Sequence, residues 1–128
     1  MDMISPLVDA YALQYTSPEE ALMQEINEFT MRNHPQSNML SGHVQGKLLS
    51  FISTILRPKY VLEVGTFVGY SGLYLAQGLP PDGELHTLEL REEDAQTARG
   101  YFARSEKGKQ IHLHTGNALD LIPQIDRK

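Results

Sequence analysis

Apolar side chains recur every three or four positions over the first 57 residues, which is the periodicity of amphipathic helices. Three helices are predicted there: residues 7–15, a second one from a Ser17 cap to His34, and residues 41–56. The second start rests on Ser17 as N-cap, Pro18 as the first helical residue and Glu20 closing a capping box.

From residue 58 onward, short apolar runs alternate with helical patterns. The predicted elements are strands at Tyr60–Val64, Glu84–Leu90 and Gln110–Thr115, helices at 70–77 and 91–105, and a last helix capped by Asn117 and ending near Pro123. This alternation predicts an α/β fold with a parallel sheet, in which right-handed crossovers give the strand order 3-2-1. We expect a single domain over residues 1–128, with a helical cap region at 1–57 and a βαβ half at 58–128.

The stretch VLEVGTFVGYSG at residues 61–72 consists of an apolar strand and the glycines that follow it, an arrangement typical of a nucleotide site. It matches no phosphate-binding pattern. The dinucleotide pattern G-x-G-x-x-G requires glycines where Phe67 and Tyr70 stand, and the phosphate loop requires a lysine that is absent. The nucleophile elbow G-x-S-x-G fails at Leu73. A diphosphate cradle and an elbow serine are therefore excluded.

Acids remain near the carboxyl ends of the first two strands, where parallel sheets bind ligands. Glu63 belongs to the first and Glu89 to the second, and Glu89 is placed to accept both hydroxyls of a ribose. Two acids without a lysine suit a ligand that has a ribose, a positive centre and an ammonium group but no phosphate, such as S-adenosylmethionine. Its carboxylate is expected at Ser71 and the helix start. A strand-to-helix turn without ligand and a solvated Glu63 are the simpler alternatives.

Composition narrows the function classes further. The 128 residues include 11 Lys and Arg against 16 Asp and Glu, giving a net charge of −5 with no basic cluster, which argues against nucleic-acid and anionic-membrane partners. Cysteine is absent, so thiolate chemistry and disulfides are excluded. No apolar run approaches the roughly 20 residues of a membrane span. The amino-terminal residues lack a signal-peptide pattern, so a cytoplasmic location is expected.

Residues 61–90, VLEVGTFVGYSGLYLAQGLPPDGELHTLEL, resemble the motif-I to motif-II region of small S-adenosylmethionine-dependent O-methyltransferases of the caffeoyl-CoA and catechol type. The resemblance continues upstream in MLSGHVQGKLL (39–49) and downstream in IHLHTGNALDLIP (111–123). It implies a class I methyltransferase (Rossmann-like) fold and methyl transfer from S-adenosylmethionine to a hydroxyl of a small aromatic, catechol-like acceptor.

The resemblance also implies a cofactor site. Its residues are Glu63, Gly65, Phe67 and Ser71 around the methionine part, Glu89 at the ribose, Asn117 and Ala118 beside the adenine, and Met39 and Ser41 on the other side of the pocket. Asn117 stands where the family more often has Asp.

The family's next strand carries an aspartate-rich motif with a metal ligand and a catalytic lysine, and the sequence ends at residue 128, where that strand is due. We therefore expect no catalytic or metal-ligating residue in this chain, although the family uses a divalent metal, Mg²⁺. The chain alone is expected to be inactive and, with Tyr60–Val64 on an open edge, to form a homo-oligomer such as a dimer. The alternative is a non-catalytic S-adenosylmethionine- or nucleoside-binding module or regulatory partner.

Two further groups of residues have simpler interpretations. His112 and His114 lie on one face of the third strand and are interpreted as packing or hydrogen-bonding residues rather than metal ligands. Glu92, Glu93 and Asp94 are interpreted as the acidic first turn of a helix, which the helix dipole favours.

Overall fold

The computed structural model describes residues 3–125. Within that range the strands are β1 (Tyr60–Val64), β2 (Glu84–Glu89) and β3 (Ile111–Thr115). The helices are α1 (Pro6–Gln14), α2 (Ala21–Asn33), α3 (His43–Leu56), α4 (Tyr70–Ala76), α5 (Glu92–Ala103) and α6 (Ala118–Leu121). Short 3-10 turns occur at Ser37–Met39, Gly108–Gln110 and Ile122–Gln124. None of these helices is both long and apolar enough to cross a membrane.

The three strands form one parallel sheet in the order β1-β2-β3, which confirms the predicted order 3-2-1. Val61 pairs with Leu85, and Leu85 pairs with Ile111. Because partners in a parallel register share a face, these three apolar residues lie side by side. The carboxyl ends of all three strands consequently meet at one edge of the sheet.

One face of the sheet forms the core. Leu85 and Ile111 pack there against α4 and α5, through buried residues such as Leu73, Ala98 and Phe102. Complete burial of an apolar side chain of this size stabilises a fold by roughly 1.5–3 kcal/mol, so this face accounts for much of the stability. We call it the closed face.

A close approach joins α3 to the end of α4. Gly78 lies so near the backbone of Ser53 that an added Cβ would come within 2.1 Å of it. The Gly78 N–H donates to Ser53 Oγ at 3.1 Å, and that hydroxyl donates to the Leu75 carbonyl. This approach packs α3 against α4, while α2 also contacts α4 and α1 contacts α3.

The predicted start of the second helix is wrong. The helix α2 begins at Ala21 with Glu20 as its N-cap residue, and no side chain caps it. The reason is tertiary: the Tyr70 hydroxyl donates to Glu19 at 2.6 Å and Lys47 donates to Glu20 at 2.8 Å. Because the side chains of residues 19 and 20 bind these distant partners, they do not form the capping box that the local sequence predicts. By contrast, the Asn117 cap is confirmed, because its side chain accepts the Leu119 N–H at 2.9 Å.

Candidate functional site

A cavity of about 320 Å³ opens at the carboxyl ends of β1 and β2. Six of the predicted site residues line it: Met39, Ser41, Gly65, Phe67, Ser71 and Glu89. Lining residues that were not predicted are Gln36, Leu40, Val64, Thr66, Tyr70, Arg91 and Asp94. The cavity volume falls within the range of about 300–1,000 Å³ that is usual for small-molecule sites.

The loop from Gly65 to Gly69 forms one wall of this cavity. Gly65 and Gly69 have φ angles of 96° and 95°, which glycine adopts without strain. Between them Phe67 also has a left-handed backbone, with φ of 52°, which costs a non-glycine residue roughly 1–2 kcal/mol. The Gly65 and Thr66 N–H groups donate to the Leu88 carbonyl at 2.8 and 3.1 Å, so the loop folds over the end of β2.

Glu89 holds this loop in place. Its Oε2 accepts the Phe67 N–H at 2.7 Å, and its Oε1 accepts the Arg91 N–H at 3.1 Å. The first of these bonds offsets the strain of the left-handed Phe67. An ionised carboxylate has about four acceptor positions, so each oxygen retains a position for a second donor from the cavity.

Glu63 lies outside the cavity lining and supports it from the closed face. Its Oε2 accepts the Ser71 hydroxyl at 2.7 Å, and its Oε1 accepts the Thr87 hydroxyl at 2.7 Å. The Thr87 oxygen lies 2.6 Å from the Thr66 hydroxyl, which must donate because the Thr87 proton is already committed. Burial raises the pKa of Glu63 above its ordinary value of 4.5, against the lowering effect of both hydroxyls.

Asp94 is a site residue that the sequence interpretation missed. It does lie in the first turn of α5, as predicted, but it is only 4% exposed. His34 Nε2 lies 2.9 Å from its Oδ1, and Arg91 Nε lies 3.6 Å from its Oδ2. The His34 ring packs edge-on against Phe67 with centroids 4.6 Å apart. Asp94 precedes the buried Ala98 and Phe102 by four and eight positions, which is the helical spacing that indicates its burial.

The sequence of this chain matches a known protein family. Residues 13–128 match the profile of the O-methyltransferase family. The chain belongs to this family. It is 32% identical over 107 residues to a catechol O-methyltransferase of Niastella koreensis, and the match covers 84% of this chain and 48% of that protein. It therefore spans about half the length of the curated relatives it matches.

About half of the length of solved O-methyltransferases has the same architecture as this chain. The enzyme TomG of Streptomyces achromogenes, in complex with S-adenosylmethionine, superimposes with a TM-score of 0.85 at 32% identity, covering 94% of this chain and 54% of that one. A Bacillus cereus O-methyltransferase in complex with SAH, the demethylated product of S-adenosylmethionine, superimposes with a TM-score of 0.79 at 30% identity. The match covers 95% of this chain and 55% of that one. These neighbours place the chain in the class I methyltransferase fold.

Asn117 and Ala118, predicted from the family to border the adenine, do not line the cavity. They lie at the start of α6, beyond the carboxyl end of β3, where the Gly116 N–H donates to the Glu89 carbonyl at 2.8 Å. The Asn117 side-chain oxygen is engaged in capping α6. The structure therefore brings them near the end of β2 without joining them to the cavity that the other six residues share.

The divalent metal expected for the family does not fit the acids at this cavity. Glu89 accepts two backbone N–H groups, and Asp94 is bonded to His34 and Arg91, so neither presents a cluster of open oxygen ligands. Over residues 3–125 the one group of three potential ligands that lie close together is Glu84, His86 and His112, on the other face of the sheet. Two imidazoles are poor ligands for Mg²⁺, which prefers oxygen.

Proposed function

We propose that this chain carries the cofactor site of an S-adenosylmethionine-dependent O-methyltransferase, whose acceptor is the hydroxyl of a small aromatic, catechol-like molecule. The observation that supports it is the cavity at the carboxyl ends of β1 and β2, lined by six family-predicted residues, with Glu89 beside the glycine loop. Relatives named catechol and caffeoyl-CoA O-methyltransferases support the acceptor class.

Glu89 is assigned to the ribose. Its two oxygens are spaced by the carboxylate geometry to accept two neighbouring hydroxyls, and each has one acceptor position left after binding Phe67 and Arg91. The same carboxylate then positions both the loop and the ligand. Hydrogen bonds to a charged group stabilise a complex by about 1.5–3 kcal/mol.

Ser71 is assigned to the methionine end, with a refined role. Ser71 lines the cavity, and because its hydroxyl proton is donated to Glu63, its oxygen can serve a ligand only as an acceptor. An acceptor suits the ammonium group of the cofactor rather than its carboxylate, to which the sequence interpretation assigned it. The carboxylate then binds the N–H groups of the first turn of α4, which have no acceptor within the helix. Met39 and Ser41 form the opposite wall.

When bound, S-adenosylmethionine supplies an electrophilic methyl group on a sulfonium. Residues 3–125 bind and orient it: Glu89 fixes the ribose end, while Ser71 and Glu63 fix the methionine end. We assign no catalytic base among these residues, since Glu63, Glu89 and Asp94 are each committed to hydrogen bonds within the protein. The Glu63 carboxylate acts through Ser71 and is a positioning group.

Calorimetry with S-adenosylmethionine and its demethylated product tests the proposal. We expect saturable binding, and Glu89→Ala should weaken it by about 10- to 150-fold, which corresponds to about 1.5–3 kcal/mol. Glu89→Gln keeps one oxygen for the Phe67 N–H and should weaken binding less. The matched control is Glu84→Gln, which changes an acid at the opposite end of the same strand. Unchanged affinity in Glu89→Ala would contradict the assignment.

We further infer that the chain associates with copies of itself. The helix α1 has no buried residue although it carries Leu7, Val8, Tyr11 and Leu13, all exposed. The strand β1 is an edge of the described sheet, and Leu62 and Val64 on it are half exposed or more. Exposed apolar helices and strand edges favour association. Sedimentation at micromolar concentration should show an oligomer, and a stable monomer would contradict this inference.

A further inference from the structure

Four metal-ligating side chains share one face of the sheet, opposite the closed face. Glu84 and His86 are two residues apart on β2, and His112 and His114 are two residues apart on β3. The register pairs His86 with His112. Because successive side chains alternate across a strand, all four project away from Leu85, Thr87 and Ile111. We call this group the histidine cluster.

The geometry of the cluster is already close to that of a metal site. His86 Nε2 lies 3.0 Å from Glu84 Oε2, and one ligand atom from each of Glu84, His86 and His112 lies within 4.8 Å of the others. A tetrahedral zinc ion with bonds of 2.0–2.1 Å holds its ligand atoms about 3.3 Å apart. The His86 and His112 rings are stacked with centroids 4.9 Å apart, and the exposed His112 ring would have to turn to bring its nitrogen to a bound ion.

His114 supplies the outer support that metal-binding histidines usually have. A ligating imidazole generally donates its other ring N–H to a fixed acceptor, which sets its orientation. His86 Nδ1 lies 2.9 Å from His114 Nε2, and the two rings are stacked with an interplanar angle of 10°. His86 Nε2 is thereby directed to Glu84, and an ion between them replaces the shared proton.

We propose that Glu84, His86 and His112 bind a divalent first-row transition ion, with Zn²⁺ as the best fit and one position open to water. Two imidazoles and a carboxylate are donors that zinc accepts and that Mg²⁺ and Ca²⁺ do not select. The site is separate from the cofactor cavity: Glu84 and Glu89 stand at opposite ends of β2, about 16 Å apart along the strand. The ion links β2 to β3 on the face that the core leaves open.

Zinc chloride titration in a non-chelating buffer, followed by calorimetry and thermal unfolding, tests the site. We expect one Zn²⁺ per chain and a rise in Tm that EDTA reverses, because an ion that binds only the folded state stabilises it. Mg²⁺ at the same concentration should leave Tm unchanged. His112→Ala should weaken Zn²⁺ binding at least tenfold, and it should fold normally because His112 is exposed.

Two further variants separate this site from adventitious binding to any histidine. His114→Gln should weaken Zn²⁺ binding by roughly 10- to 100-fold through loss of the outer support. The control His43→Ala removes a histidine that lies at the start of α3, outside the cluster, and should leave binding intact. The proposal is overturned if Zn²⁺ shows no saturable binding, or if His112→Ala and Glu84→Gln both bind it as the parent does.

Discussion

The two faces of the sheet use the same three strands for different purposes. On the closed face Leu85 and Thr87 are 0% exposed, while on the opposite, open face Leu62 is 50% exposed. Polar groups on the closed face are bonded to one another: Thr66 to Thr87, Thr87 to Glu63, and Ser71 to Glu63. Those on the open face are also bonded to one another, His86 to Glu84 and to His114, but they are potential metal ligands, and His112 beside them is exposed.

This difference teaches where chemistry is available in the chain. Burying a polar group without a partner is costly, and Thr87 and Glu63 have theirs within the protein, so they serve to position other residues rather than to bind a ligand directly. The groups at the rim of the closed face, Ser71 and Glu89, keep acceptor positions open toward the cavity. On the open face, the histidine cluster brings potential ligand atoms of Glu84, His86 and His112 within 4.8 Å of one another.

Truncating one apolar residue on each face gives the largest expected contrast. Leu85→Ala removes a fully buried side chain and should lower the free energy of unfolding by about 2–5 kcal/mol. Leu62→Ala, on the neighbouring strand and the open face, should cost about 1 kcal/mol or less, since half of its side chain is already in solvent. Urea unfolding measures both. Equal losses would show that the open face is as well packed as the closed one.

Thr87→Val tests the series of hydrogen bonds between buried polar groups on the closed face. The change keeps the shape of the side chain but deprives the Thr66 hydroxyl of its acceptor and Glu63 of a donor. Leaving buried polar groups unsatisfied costs about 1–3 kcal/mol, which urea unfolding should detect. The matched control is Thr115→Val on β3, whose hydroxyl accepts from the half-exposed Arg99 and should cost about 1 kcal/mol or less. A smaller loss for Thr87→Val than for Thr115→Val would contradict the distinction.

The strands and their order were predictable because the signal is local. Tyr60–Val64 is an apolar run between Pro58 and Gly65, and the structure reproduces its bounds. The Asn117 cap is equally local, since its partner is two residues away. The glycine loop is another local feature, and it placed the cavity at the correct edge of the sheet.

The features that sequence reasoning missed depend on distant partners. Ser17 was predicted as a cap, but Tyr70 and Lys47 decide the conformation of residues 19 and 20. The histidine cluster could not be recognised from His112 and His114 alone, because the register of β2 against β3 determines that His86 stands beside them. Side-chain partners of this kind are a property of the assembled fold and not of any one segment.

Glu63→Gln gives the smallest expected effect. It tests the closed face through the pH dependence of the free energy of unfolding. Burial raises the pKa of Glu63 above 4.5, so the folded state binds this proton more tightly than the unfolded state. Its contribution to stability is therefore greatest at acid pH and falls as pH rises from about 4.5 through the raised pKa, by at most about 1.4 kcal/mol per pH unit. The variant cannot titrate and should lack this fall in urea unfolding from pH 4 to 8. Glu25→Gln is the control of opposite sign: the hydrogen bond from Arg104 lowers the pKa of Glu25, whose contribution is present above 4.5 and lost below it. A slope above pH 4.5 that Glu63→Gln leaves unchanged would show that this carboxylate is not held in the buried state described for the closed face.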